Sequence, residues 1–342
     1  GRPVLYPAGR MTPVHAGNLG PILAIDLGGS RIRVAHLSSD LTVAHREVIP
    51  TMPALGVEDA LDRITTLARA VRAAAEAAGD GAPTAIGISS PGPLDPWRGV
   101  IHQAPNLPGW VEVPIADRLS AALDLPATLE RDTNVALLAE WRHGAAAGAD
   151  HAVYVTVSTG IGGAAVVDGR LLRGPDGTAG EVGHLTVDLD GPPDGEGAPG
   201  HVEGIASGAA LARDGAALLQ RGEAPRLAEL VNRGGTADAA AVCAAADAGD
   251  EACRSLLDRA WSAIGAMCAG LVNVLNPEVL VLGGAIADHR PELHDVVRAE
   301  IARRAFAIPA ARVRLTAPHF GDDVSLVGCW ALIHEMEARR PR

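Results

Sequence analysis

One arrangement occurs twice in this chain and restricts its fold more than any other feature. An apolar run, Ile22-Leu23-Ala24-Ile25-Asp26, meets the glycine pair Gly28-Gly29 and returns as the alternating segment Ile32 to Leu37. Far downstream, Ala152 to Val157 meets Ser158-Thr159-Gly160-Ile161-Gly162-Gly163 and returns as Ala164 to Val167, before the turn Asp168-Gly169. Strand, tight turn, strand is the reading in both places. A chain that repeats this plan after a long interval is expected to consist of two related halves.

The segments around these units alternate between the two regular periods. Leu41 to Ile49 reads as a third strand and Val57 to Ala78 as a long helix. Ala85 to Ser89 is a short buried strand ended by Pro91-Gly92-Pro93. Val113 to Leu123 is expected to be helical, Ala127 to Leu129 a strand, and Asp132 to His143 a helix. Later, Ala206 to Gln220 and Asp250 to Leu275 read as helices, and Val279 to Leu282 as a buried strand ending in Gly283-Gly284. The stretch Gly191 to Gly200 is too rich in Gly and Pro for anything but a loop, and a helix from Ser325 to about Arg339 closes the chain. Gly1 to Gly20 has no period and reads as a tail. Interleaved strands and helices with glycine turns at strand ends make an α/β protein, whose ligands sit at those ends.

Composition narrows the function. A net charge of −12 leaves nothing to neutralise nucleic-acid phosphates, so no nucleic-acid partner is expected. Four cysteines without C-x-x-C spacing argue against a disulfide framework and fit a reducing, cytoplasmic setting. No apolar run reaches membrane-spanning length, and the first twenty residues lack a signal-peptide core. At 342 residues the chain suggests two domains.

The glycine turns suggest phosphate chemistry. Backbone N–H groups bind phosphate best where no Cβ stands in the way. Asp26 can hold Mg²⁺ through water, while Gly28 and Gly29 open the turn and Ser30 and Arg31 meet phosphate oxygens. Thr159, Gly160, Gly162 and Gly163 form a second such loop, and Gly283-Gly284 a third, suited to an adenine or ribose. Each alone reads more readily as a tight turn; three after apolar strands read as a split phosphate clamp.

An ordered set of motifs carries a family resemblance. It comprises Asp26-Leu27-Gly28-Gly29-Ser30-Arg31-Ile32-Arg33, Ser90-Pro91-Gly92-Pro93-Leu94-Asp95 and Ala104-Pro105-Asn106-Leu107-Pro108-Gly109-Trp110. Asp132-Thr133-Asn134, Thr159 to Gly163, Gly180-Glu181-Val182-Gly183-His184, Glu203 with Ala206-Ser207-Gly208, Gly283-Gly284 and Gly321-Asp322-Asp323 follow. From about Ile22 to about Ala338 the chain resembles the repressor–ORF–kinase (ROK) family of sugar kinases and sugar-responsive repressors, and its glucokinase-like members in particular. The resemblance implies a two-domain actin/hexokinase-like (ribonuclease H-like) ATPase fold with an interdomain cleft, sugar deep in the cleft and ATP above it. Residues 21–130 plus 322–342 would form the smaller domain, residues 131–321 the larger, and residues 1–20 the tail. It further implies ATP and Mg²⁺ as cofactors and a homodimer.

By the same resemblance Asp132 is the catalytic base, although Asp is also a favoured helix N-cap. Asn106, Glu181, His184 and Glu203 would bind ring hydroxyls, and Gly92 would let its loop close over them. Two positions depart from the family. Arg131 stands where Asn usually precedes the base; a guanidinium donates only, whereas an amide also accepts. Arg131 can pair with a site carboxylate, meet an anionic or unusual acceptor, or swing out, and it is expected to alter acceptor choice. The family's structural zinc is held by a His and three Cys; here His184 is retained, but the cysteine positions read Asp194, Glu196 and His201. The expectation is that zinc is lost, that His184 serves the sugar directly, and that other contacts hold the loop.

The activity so implied is transfer of phosphate from ATP to a hydroxyl, by default a primary C6-type one, of a hexose, hexosamine or hexose-like cyclitol. The alternative is a non-catalytic sugar-sensing regulator fragment without its winged helix, for which the residues before Ile22 are too few.

Overall fold

A computed structural model describes residues 20–104 and 107–338. The tail up to residue 19, Asn106, and the expected end of the closing helix at Arg339 lie outside the described residues. The chain divides into two compact units. Of the described residues, the first takes those up to Gly144, with Arg173–Thr178 and those from Phe320 on; the second takes Ala145–Leu172 and Ala179–His319.

In the first unit, β1 (Ile22–Leu27), β2 (Arg31–Leu37), β3 (Val43–Pro50) and β4 (Ala85–Ser90) are followed by a small antiparallel sheet. That sheet contains β5 (Leu94–Asp95), β6 (Val100–Gln103) and β7 (Val111–Val113). After it comes β8 (Ala127–Arg131), and the main sheet runs β3-β2-β1-β4-β8. β2 and β3 pair antiparallel, β1 with β4 and β4 with β8 parallel. Every residue of β1 and β4 is buried, as expected of strands covered on both faces. One cover is the helix Gly56–Ala78, whose stripe Ala60, Leu61, Ile64, Ala68, Val71 and Ala75 recurs at helical spacing and is buried. Each large aliphatic side chain so buried contributes about 1.5–3 kcal/mol.

The second unit repeats the plan. β9 (Ala152–Val157), β10 (Ile161–Val167), β11 (Arg170–Leu171), β12 (Val279–Gly283) and β13 (Arg314–Thr316) form a sheet in the order β11-β10-β9-β12-β13. The senses are again antiparallel, antiparallel, parallel, parallel. The two strand–turn–strand units thus occupy equivalent places in two like sheets. The long helix Glu251–Leu275 packs in this core through Leu257, Trp261, Ile264 and Cys268, and the Asp250 carboxylate caps it by accepting the Cys253 N–H (3.2 Å).

Several expectations need correction. Helix does not begin at Val113: β7 ends there and Ile115–Leu123 is the helix, because a residue before proline, here Pro114, is held out of the helical region. Ala206 to Gln220 is two helices, Val202–Ala206 and Gly208–Arg221, divided at Ser207, whose hydroxyl accepts the Ala210 N–H (3.1 Å). Gly162 and Gly163 are not turn residues; they pair within β10 opposite Thr156 and Val155. The unit boundary falls at Gly144 and not at residue 130, because the helix Asp132–His143 packs on the closing helix Val324–Ala338. A Cβ at Gly328 would lie 2.1 Å from the Val135 carbonyl oxygen, and Arg142 donates to Glu335 (2.7 Å).

That close approach yields a test. Gly328→Ala is expected to separate the two helices at a cost of about 1–3 kcal/mol, read as a lower denaturant midpoint. An unchanged midpoint would contradict the packing described.

Candidate active site

In the first unit the register brings candidate residues to the carboxyl ends of the parallel strands. Asp26 stands opposite Arg33 on β2 and Ser89 on β4, and Arg131 stands opposite Ser90. Asp26 is buried and Arg33 grips its Oδ2 through Nε (3.0 Å) and Nη2 (3.0 Å). Both contacts fall on one carboxylate oxygen, so any water-bridged Mg²⁺ would use the other. The turn after Asp26 is tight, with the Gly28 N–H donating to the Arg31 carbonyl (3.0 Å). Thr51 braces it, its hydroxyl donating to the Gly28 carbonyl (2.6 Å) and its N–H to the Ser30 carbonyl (2.9 Å). Ser30 and Arg31 are exposed, and Gly29 is half-buried between them and Gly28. Arg31 pairs with Asp322 (3.0 Å), an exposed contact worth little on its own. Asn106 lies outside the described residues.

Asp132 is the first residue of its helix, after Arg131 in the N-cap position, and not the cap itself. It is exposed, whereas every residue from Thr133 to Trp141 is buried. The helix therefore opens to solvent at one carboxylate, whose Oδ1 accepts the Thr133 N–H (2.7 Å). The Arg131 side chain is buried, with its stem against the Gly92 backbone.

Beneath this carboxylate lies a residue that pattern reading passes over. Glu130 is fully buried; its Oε1 accepts the Arg131 N–H (3.0 Å) and Asn134 Nδ2 (2.9 Å), and its Oε2 accepts Arg173 Nε (2.6 Å). Arg173 is equally buried, and its two terminal nitrogens have no hydrogen-bond partner among the described residues. A buried charge persists only when paired. Glu130 therefore fixes the strand end and first helical turn on either side of Asp132.

The second unit holds the other candidates. The turn after β9 covers Ser158 to Gly160, closed by the Ser158 N–H on the Gly160 carbonyl (2.9 Å), and presents an exposed Thr159. The first amides of the helix Gly208–Arg221 bond to this turn, Gly208 to the Ser158 carbonyl (2.8 Å) and Ala209 to that of Thr159 (3.0 Å). Those donors are therefore spent on protein. Glu203 Oε2 accepts the Ile161 N–H (2.7 Å) and lies against Gly160, so this carboxylate braces the turn with one oxygen. Glu181 is exposed at the entry of a short 3-10 turn, Val182–His184. Gly283 ends β12 against Pro318, and Gly284 follows at φ +97°, where a Cβ would lie 2.5 Å from Thr156 Oγ1. No other residue fits position 284 without moving β9.

The Gly- and Pro-rich loop is closed by its own backbone. Backbone bonds run from Val187 to Gly200 (2.9 Å), from Gly200 to Pro192 (3.0 Å) and from Asp194 to Ala198 (2.9 Å). They bring Asp194 beside His184 and His201, while Glu196 stays exposed and contributes its N–H to Asp194 Oδ1 (2.9 Å). Burial pushes the Asp194 carboxyl up, but His201, the Ala198 and Glu196 amides and His184 together hold it at about 2. His184 meets this cluster through Nδ1, which leaves Nε2 as its other polar atom.

Two like sheets, each with two antiparallel pairs on one side and two parallel pairs on the other, glycine turns at their ends and a carboxylate at a strand-to-helix junction define the actin/hexokinase-like class. The chain matches the ROK family over residues 22–336 and belongs to it. It is 31% identical to a glucokinase of Thermotoga maritima, over 92% of this chain and 97% of that one. It is 30% identical to an N-acetylmannosamine kinase of Citrobacter koseri, over 90% and 96% of the two chains. A ROK glucokinase from Streptomyces griseus, solved with glucose and AMPPNP, superposes with a TM-score of 0.74 at 27% identity, covering 91% and 98%.

The Glu130–Arg173 pair is testable by a double-mutant cycle. Glu130→Gln and Arg173→Met are each expected to destabilise the protein by about 3–5 kcal/mol, with a coupling of at least about 1 kcal/mol in the double variant. Additive losses would show that the pair does not act as one.

Proposed function

We propose that this ROK kinase transfers the γ-phosphoryl group of ATP to a hydroxyl of a hexose, hexosamine or hexose-like cyclitol, with Asp132 accepting the hydroxyl proton. The observation that carries this reading is the single exposed carboxylate at the head of a helix buried from Thr133 to Trp141, braced from below by Glu130. As the acceptor oxygen bonds to the γ-phosphorus, the bond to the ADP oxygen breaks and the hydroxyl proton passes to Asp132. Phosphoryl transfer asks the protein chiefly for position and charge. In this reading Thr159 and Gly160 meet phosphate oxygens, Gly283 and Gly284 let the nucleoside lie against backbone, and Asp26 holds hydrated Mg²⁺.

The acceptor-binding roles of Asn106, Glu181, His184 and Glu203 rest on the family motifs they occupy. His184 Nε2 and Glu203 Oε1 are the atoms that the described contacts leave for a sugar. The acceptors named for relatives, glucose and N-acetylmannosamine, set the starting range, and a primary hydroxyl is the default. The buried Arg131, which lacks the acceptor half of an amide, supports a narrower acceptor than plain glucose. A homodimer belongs to the same proposal, supported by the exposed apolar Val274, Phe306 and Ile308, gathered where Asn273 Oδ1 accepts the Phe306 N–H (2.7 Å). Four buried, free cysteines support a reducing, cytoplasmic setting.

ADP release with ATP and Mg²⁺ across glucose, mannose, N-acetylglucosamine, N-acetylmannosamine, fructose, allose and C7 cyclitols tests the reading. Turnover of about 1–100 s⁻¹ on one acceptor or a small set is expected. No release on any acceptor, with sugar or nucleotide still binding, would replace the kinase by the sensor. Arg131→Asn is expected to change the ratio of kcat/KM between two acceptors by about tenfold or more, or about 1.4 kcal/mol in transition-state binding. An unchanged ratio would remove Arg131 from acceptor choice.

A further inference from the structure

Three potential ligand atoms converge in the second unit without any sulfur. His184 Nδ1 lies 3.1 Å and His201 Nδ1 lies 2.7 Å from Asp194 Oδ2, and the two ring nitrogens are 3.3 Å apart. The rings stand edge to face at 87°. Asp194 is aimed by its surroundings, because Oδ1 accepts the Glu196 (2.9 Å) and Ala198 (3.0 Å) amides and leaves Oδ2 to the imidazoles. His201 is fixed in turn, as its residue bridges to Thr186 and precedes the helix Val202–Ala206. Cys243, Cys253, Cys268 and Cys329 are buried, and no cysteine belongs to the cluster.

These separations suit a cation better than hydrogen bonds alone. Two N–H groups aimed at one oxygen would approach it at an angle of only about 70°, well short of the spread that separate lone pairs favour. Tetrahedral zinc, with bonds of about 2.0–2.1 Å to nitrogen and oxygen, sets neighbouring ligand atoms about 3.3 Å apart. A point about 2.0 Å from all three atoms exists about 1 Å out of their plane, which leaves a fourth position for water. The donor set of two imidazoles and a carboxylate is itself one that zinc accepts. A cation thus fits this loop without any thiolate, against the expectation that loss of the cysteines means loss of the metal.

We propose that His184 Nδ1, His201 Nδ1 and Asp194 Oδ2 form a thiolate-free site for one zinc-class divalent cation that pins the Gly191–Gly200 loop to the His184 segment. Lacking sulfur, the site is insensitive to thiol oxidation and harder in character than a cysteine site. Because the cation takes Nδ1, it fixes which nitrogen of His184 faces outward. That last link rests on the proposed sugar reading, but metal content is measured without turnover, so the two can fail separately.

The full chain, purified without a metal-chelating column and dialysed into metal-free buffer, would be assayed by elemental analysis. It would then be stripped with a chelator and titrated with Zn²⁺ and Co²⁺. About one zinc per chain is expected, with a fall in Tm of about 5 °C on stripping that Zn²⁺ reverses. Bound Co²⁺ should show ligand-field bands without thiolate charge transfer. Asp194→Asn and His201→Gln should each lower affinity at least about tenfold, while Glu196→Gln keeps it. A metal-free isolate whose stripped wild-type form takes up neither ion more tightly than about 10 μM would overturn the site and leave a hydrogen-bonded triad. Equal uptake by Asp194→Asn and His201→Gln would mark the ion as adventitious, and loss in Glu196→Gln would overturn the three-ligand assignment. The wild-type titration decides the matter even where a variant does not fold.

Discussion

The strand-to-helix junction of the first unit depends on one buried carboxylate. Glu130 sits where a parallel strand becomes a helix, a place that leaves backbone donors unsatisfied unless something accepts them. It takes the Arg131 amide and the Asn134 side chain with one oxygen and the Arg173 guanidinium with the other. A carboxylate with no exposure cannot remain charged without such partners. The arrangement fixes the strand end and the first helical turn on either side of Asp132, which itself stays exposed. Rigidity is thus placed under the exposed carboxylate, an arrangement that would suit the role proposed for it.

The second unit solves a similar problem by different means. Its turn after β9 is closed by backbone bonds, braced by Glu203 and abutted by the amides of a helix. Gly284 admits β12 and β9 to a distance no side chain would allow. Together these set the backbone geometry on which the proposed nucleotide contacts rest. The same sheet plan in both units explains why the glycine turns recur: each marks the end of the first strand pair, where ligands of α/β sheets gather.

Much of this was legible in the sequence, and the failures have physical causes. The repeated strand–turn–strand units, the helix Asp132–His143 and the buried strand before Gly283 follow from hydrophobic period and turn chemistry. The sheet of β5, β6 and β7 was missed because strands of two to four residues carry no period. The reach of β10 over Gly162 and Gly163 was missed because glycine in a strand reads as a turn. Glu130–Arg173 was invisible for another reason: the partners are far apart in the chain, and nothing local distinguishes a buried ion pair from two surface charges. The convergence of His184, Asp194 and His201 was likewise hidden, because backbone bonds within a Gly- and Pro-rich stretch create it.

The account turns on Asp132 acting in chemistry and not in binding. The most direct measurement compares wild type with Asp132→Asn for calorimetric affinity toward the preferred acceptor and for kcat under saturation. The account predicts acceptor affinity within a few-fold of wild type and a kcat lower by about 10²–10⁴. Retained turnover in the variant, or turnover lost only in proportion to acceptor binding, would contradict it.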